Sequence, residues 1–224
     1  MRNTVLGVTI LILFLTGCSQ KEIIVLQPEP QNIVKLKPIE DEELPIRRTI
    51  VESALKHLNK NDGNDCSGLV DLVNSETNET FYKLDELYKY FDNTSRAKAI
   101  FNIMKDENKL VNSTLPKIGD IVFFSDTLQT TKRKIGSFNI THIGIVTEVD
   151  EDGTIHFIHN IQGKNKIDQL NTNFSNHQIL SGKNVNSFLK RCPKSKAKSE
   201  CLSSFFFSAY ASPIPKKNLE LSKN

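Results

Sequence analysis

The chain has no tryptophan, only two methionines and only four cysteines. It carries no internal repeat and no low-complexity block, which excludes an architecture stacked from short units. Charge of one sign is not in excess. Twenty-nine Lys and Arg stand against 26 Asp and Glu, a net +3, which gives no ground for a nucleic-acid partner. Long hydrophobic runs are scarce. Val5 to Leu15 is apolar but too short to cross a bilayer comfortably as a mature helix. The acidic stretch Asp150-Glu151-Asp152-Gly153 lacks the ligand spacing of a calcium loop. His156 and His159 could form half a metal site, yet no further ligand pair at suitable spacing is visible, so neither metal nor cofactor is expected.

The ends carry an address. Arg2 supplies a positive start, and the apolar run closes on Leu15-Thr16-Gly17-Cys18, which resembles the lipobox of bacterial lipoproteins. That resemblance implies a signal peptide over 1–17, cleavage before Cys18, and acylation of Cys18. The alternative is an ordinary secretory signal with Cys18 incidental. Two or more acyl chains hold a protein stably on a membrane without a spanning helix. Ser19, not Asp, follows the cysteine, and the resemblance to lipoprotein sorting signals then implies an outer membrane, facing the periplasm, in a Gram-negative source. Residues 18–45 hold Pro28, Pro30, Pro38 and Pro45 and read as an extended tether, reaching at most about 90 Å. Residues 46–212 suit one domain with one core, and 213–224 form a polar tail.

Cys192 and Cys201 flank a polar, Lys-rich segment and could close a short disulfide loop in an oxidising compartment. The cluster Lys190, Arg191, Lys194, Lys196 and Lys198 reads as a solvated loop. That leaves Cys66 as a lone free thiol, which is a liability there unless buried or used.

Within the domain, a first helix is expected over Arg48 to Leu58, with Thr49 and Glu52 as a capping box and Ile50, Ala54 and Leu58 on one face. A second opens at Cys66, with Leu69, Leu72 and Val73 at helical spacing. Leu84 to Phe91 and Ala97 to Met104 repeat that spacing, separated by a break and N-cap at Asn93-Thr94-Ser95. After Pro116 the period changes. Ile121 to Phe124 is a short apolar run. Ile143 to Val149 and Thr154 to His159 flank the Asp152-Gly153 hairpin signal, and Ser203 to Ala211 reads as a closing strand. Helices first and antiparallel strands afterwards predict an α+β domain, the helices packed on the sheet.

Asp65-Cys66-Ser67-Gly68-Leu69-Val70 places a thiol at a helix start, behind the polar loop from Asn59 to Asp65. Unpaired N–H groups and the macrodipole there are expected to lower its pKa. Thr141-His142-Ile143-Gly144-Ile145-Val146 offers an imidazole downstream. His159 shares a strand face with Phe157 and Ile155, and one hairpin would bring it beside His142. His57 and His177 sit in no motif and are expected on the surface or in loops.

These blocks, with Pro116-Lys117-Ile118-Gly119-Asp120-Ile121-Val122-Phe123-Phe124 and Phe157-Ile158-His159, occur in an order that resembles the NlpC-type cell-wall cysteine peptidases, which are papain-like. The resemblance spans Asn64 to Asn160. It implies Cys66 as nucleophile, His142 as general base, His159 as the residue orienting that base (with Asn160 as fallback), and the Cys66 backbone N–H in the oxyanion hole. It also implies peptidoglycan stem peptides as substrate, most simply by endopeptidase cleavage next to a diamino acid. Family members usually carry a Tyr and a Trp-Gly-Gly-like run upstream of the cysteine, and residues 54–63 hold neither. A CHAP-type amidase, cutting between sugar and peptide, and a degenerate cell-wall-binding domain are the alternatives.

Overall fold

The computed structural model describes residues 42–91, 95–130, 136 and 138–214. The lipobox-like segment with Cys18, the tether up to residue 41, Asn93 and Thr94, the basic run Lys132-Arg133-Lys134 and residues 215–224 of the tail lie outside the described residues. The described residues belong to one compact unit. Its helices are α1 (Leu44–Lys56), α2 (Cys66–Glu76), α3 (Leu84–Leu87), which runs into a 3₁₀ turn, α4 (Arg96–Asp106) and the short α5 (Ser203–Phe206). Its strands are β1 (Leu110–Val111), β2 (Ile121–Ser125), β3 (Ile140–Val149), β4 (Ile155–Ile161), β5 (Lys164–Leu170), the pair β6 (Ile179–Leu180) and β7 (Lys183–Asn184), and β8 (Phe207–Ala211). The main sheet has the order β1-β8-β2-β3-β4-β5, antiparallel throughout. The fold is α+β, as the element order implies.

The apolar run at Ile121 to Phe124 has a plain cause. β2 lies inside the sheet and is buried on both faces. Ile121 and Phe123 join the core beneath α1, α2 and α4, with Ile50, Leu69, Val73, Ile100 and Met104. Val122 and Phe124 join a second core on the other face, with Val146, Phe157, Leu170, Phe206 and Tyr210. Side chains that alternate along a strand feed two cores only when both faces are covered. Full burial of each such side chain is worth roughly 1.5–3 kcal/mol.

Two expectations are corrected. α1 begins at Leu44 rather than Arg48, with Pro45 in its first turn, where the missing N–H costs nothing. Thr49 therefore lies inside the helix, its hydroxyl donating to the Pro45 carbonyl (3.1 Å), and the Thr49–Glu52 capping box does not form. The segment from Ser203 splits into the short α5 and β8, so the closing strand starts only at Phe207.

β5 has no counterpart in the sequence reading. Its strand is polar at most positions, because it is the edge of the sheet. The signal for it was the two-residue turn Gln162-Gly163, both left-handed (φ 54° and 77°), which folds β5 back on β4.

A buried ion pair ties α1 to the entry of β2. Arg47 Nη1 lies 2.6 Å from Asp120 Oδ1 and also donates to the Ile118 carbonyl (3.0 Å), while its Nη2 donates to Ser212 Oγ (2.8 Å). Gly119 is left-handed (φ 79°) and its N–H donates to the Val146 carbonyl. The Gly119-Asp120 part of the motif is thus structural, holding β2 against β3.

Candidate active site

The cysteine is set by its loop. Asn59, Gly63 and Asn64 are all left-handed (φ 65°, 84° and 66°), which turns the chain sharply before α2. Asp65, in extended conformation, caps the helix: its Oδ1 accepts from the Gly68 N–H (2.8 Å) and from Ser67 Oγ (2.8 Å). Gly68 packs on the Gly63 carbonyl so closely that a Cβ there would lie 1.9 Å from its oxygen. Cys66 is consequently the first residue of α2, half-buried.

Asn165 and His57 fasten this loop. The buried Asn165 on β5 donates through Nδ2 to the carbonyls of His57 (3.0 Å) and Asp62 (3.1 Å), and its backbone exchanges bonds with Asn59 and Lys60. Asn160 donates to Asn165 Oδ1 (2.8 Å). Asn160 therefore braces the cysteine loop and makes no bond to His142 among the described contacts. His57 is not the surface or loop residue expected. It is buried at the end of α1, with Nδ1 2.7 Å from Asp62 Oδ2 and Nε2 3.0 Å from Glu76 Oε1. His177 is an exposed loop residue.

The hairpin of β3 and β4 brings the two histidines together. His142 Nε2 lies 2.6 Å from His159 Nδ1, the rings nearly perpendicular. Gly144 makes room for this, since a Cβ on it would lie 2.8 Å from the Ile158 carbonyl oxygen and 3.2 Å from the His159 Cβ. Beyond His159 stands a residue the sequence did not single out. Asp168 on β5 places Oδ2 3.0 Å from His159 Nε2, and Lys166 Nζ reaches the same oxygen at 3.0 Å. Reading Asp168 required knowing that β5 pairs with β4, with Phe157 opposite Asp168.

The direction of the hydrogen bonds follows from chemistry. A carboxylate only accepts, so His159 donates Nε2–H to Asp168, and its Nδ1 is then an acceptor. His142 must donate Nε2–H to it, which leaves His142 Nδ1 bare and basic. The Cys66 sulfur meets the backbone N–H of Ile143, next to His142, together with those of Ser67 and Cys66 itself. Cys66 and His142 line one groove of about 430 Å³, with Asn64, Ser67, Arg96, Thr127 and Asn160 among its walls.

The expected lowering of the thiol pKa is corrected. Burial pushes the Cys66 thiol up to about 11; the three N–H groups pull down, and the Asp65 carboxylate pushes up. Burial and the neighbouring His159 hold the His142 imidazole well below its ordinary value. His159 is lowered by burial, with Asp168 opposing. Despite its own burial, Asp168 is held below the usual carboxylate range by His159 and Lys166. Each member of the Cys66–His142 pair therefore rests neutral at pH 7.

His156 points to the other face, its Nε2 3.1 Å from Asp150 Oδ2. It does not join His159. Glu148 and Asp150 come beside it instead, through strand pairing, with ligand atoms within 4.8 Å of one another. The half-site of His156 and His159 considered from the sequence therefore does not form, and the groups near His156 are Glu148 and Asp150. Such clusters are ordinary on exposed turns, and no metal is assigned to it. Cys192 and Cys201 are joined by a disulfide, Cα atoms 5.5 Å apart.

Residues 59–160 match the CHAP domain, a cysteine/histidine-dependent amidohydrolase and peptidase family related to the NlpC/P60 papain-like peptidases. The matched segment holds Cys66, His142 and His159 and stops short of Asp168. No curated protein and no solved structure matches the chain. The match implies a cysteine-dependent hydrolase of the peptidase or amidase type acting on peptidoglycan.

Proposed function

We propose that this protein cleaves an amide bond in the peptide stem of peptidoglycan, with Cys66 as nucleophile, His142 as general base and His159 as the residue that orients it. The observation that carries this reading is the hydrogen-bonded row from His142 through His159 to Asp168, beside a half-buried thiol in an open groove.

The row supports the following chemistry. Bare His142 Nδ1 takes the thiol proton as the sulfur attacks the scissile carbonyl carbon, so charge appears only as the C–S bond forms. The His142 imidazolium is stabilised through His159 by Asp168. The tetrahedral oxyanion lies near the helix start, where the Cys66 N–H is a donor. As the C–N bond breaks, His142 returns the proton to the leaving amine. Water, deprotonated by His142, then releases the acyl group and regenerates the thiol. Asp168 touches no substrate; it acts through His159 as a positioning residue.

Endopeptidase action is the first reading. Among the described residues lining the groove, none except His142 offers an aromatic ring on which a sugar could stack, whereas short polar groups suit an extended peptide. Amidase action between sugar and peptide is the second, and the CHAP match favours it. Acylated Cys18 would hold the enzyme on a membrane, facing the periplasm if the source is Gram-negative.

The decisive experiment is a muropeptide digest by the intact protein and by Cys66→Ala, read by mass spectrometry. The expected result is stem cleavage by the first and none by the second, with unchanged circular dichroism. Muramic acid that keeps a shortened stem points to the endopeptidase, whereas release of the whole stem with a free lactyl carboxyl on the sugar points to the amidase. Digestion that survives Cys66→Ala overturns the mechanism, and failure of a thiol probe to label Cys66 even as pH rises towards about 11 favours the degenerate domain. Membrane attachment is tested by fractionation: Cys18→Ala should move the protein to the soluble fraction.

A further inference from the structure

The groove holding Cys66 and His142 adjoins a second hollow of about 390 Å³, lined by Gly63, Asp71, Ser75, Leu84 and Tyr88. Asn64 and Arg96 line both. Arg96 is the one Lys or Arg lining either hollow among the described residues. The Asp65 carboxylate in the catalytic groove is already spent on capping α2.

Arg96 is held in place. Ser95 caps α4 and so sets Arg96 as its first residue. Its Nη1 lies 2.9 Å from Asp71 Oδ2 on α2, the helix that begins with Cys66. Asp71 also accepts from the Tyr82 hydroxyl. The guanidinium carbon stands 5.6 Å from the centre of the Phe91 ring, and 38% of the side chain remains exposed. Arg96 Nε is buried and has no hydrogen-bond partner among the described residues. A guanidinium has five donors, and the ion pair with Asp71 does not exhaust them.

We infer that Arg96 is a specificity-determining residue that binds a carboxylate of the substrate, one lying beside the scissile amide and running from the catalytic groove into the adjoining hollow. This rests on the proposed hydrolase reading and narrows its substrate to acidic peptides. A planar fork fixed by Asp71 and Phe91 meets a carboxylate with little side-chain entropy left to lose. Leu84 and the two-thirds exposed Tyr88 supply an apolar wall for the rest of the chain.

The test uses two purified stem peptides that differ only in whether the carboxyl next to the scissile amide is free or amidated. Binding to the Cys66→Ala protein is measured by calorimetry, and turnover by the intact protein separately. The free-carboxyl peptide is expected to bind about 10- to 100-fold more tightly. In Arg96→Gln that preference disappears, with the amidated peptide bound as before. Arg96→Lys, which keeps the charge and loses the fork, retains part of it. Equal affinity for the two peptides in the Arg96-containing protein overturns the inference, as does a loss in Arg96→Gln that is the same for both. The binding arm does not depend on turnover. Discrimination without cleavage would therefore sink the hydrolase reading alone, and cleavage without discrimination this inference alone.

Discussion

At the scale of single residues, the proposed mechanism keeps charge away until it is needed. Burial opposes both the thiolate and the imidazolium, so proton transfer between them, which creates both charges together, is coupled to attack. Two outcomes follow for pH. The His142 value lies below the ordinary 6.5, so the base stays neutral, and active, as pH falls past the usual histidine range; the acid limb of kcat/KM is expected below 6.5. The thiol value lies above ordinary, so iodoacetamide labelling of Cys66 should keep rising towards about pH 11 rather than level off near neutrality. A labelling midpoint near 7 would refute the neutral resting pair. Asp168 makes a second prediction. In Asp168→Asn the terminal acceptor is weakened and the tautomer of the row is no longer imposed. A loss of about 10²-fold in kcat is expected with KM nearly unchanged, and the acid limb should shift. A parallel loss of thermal stability and of KM would mark Asp168 as merely structural. Cys66, His142 and His159 were legible because each sits in a block whose neighbours also carry information. Asp168 was not, since nothing near it in the chain distinguishes it from any other acidic residue on a polar strand.

At the scale of elements, two glycines permit the close packing around Cys66 and around the histidine pair. Gly68 lets the first turn of α2 lie against the Gly63 carbonyl. Gly68→Ala puts a methyl group against backbone that cannot give, so a loss of about 2 kcal/mol or more is expected in urea melts, together with loss of Cys66 labelling. Gly144→Ala would press on the Ile158 carbonyl and the His159 side chain. Its activity should fall further than its stability does, because the His142–His159 bond lies next to the clash. Both glycines stand inside motifs, and both were visible as glycines. Their reason was not, because it lies in the close approach of another strand or loop. β5 was missed for a related cause. An edge strand lacks the apolar alternation that reveals a half-buried one, and only its turn residues betray it. The helix at Cys66, by contrast, was readable from both its cap and its periodicity.

At the scale of the whole molecule, the C-terminal segment closes the groove. Leu189 lines it, and its N–H donates to the Cys201 carbonyl (3.1 Å), so the Cys192–Cys201 disulfide staples the chain that forms this wall. A cross-link over this short loop is worth about 2–3 kcal/mol through the unfolded chain. Reduction should lower the melting temperature while leaving His142 and His159 in register. An unchanged melt would show that the loop is held by its other contacts. The sequence by itself determined the α+β class, the helix that presents Cys66, the hairpin that carries His142 and His159, and the cysteine-hydrolase chemistry these imply. Those features are written in local periodicity, caps and turns. The tertiary structure alone decided that Asp168 ends the histidine row, that Asn160 and His57 brace the cysteine loop, that burial raises the thiol pKa, and that Arg96 lines both the groove of Cys66 and the hollow beside it. Each of these depends on burial or on contact between segments far apart in the chain, and no pattern of neighbouring residues encodes either.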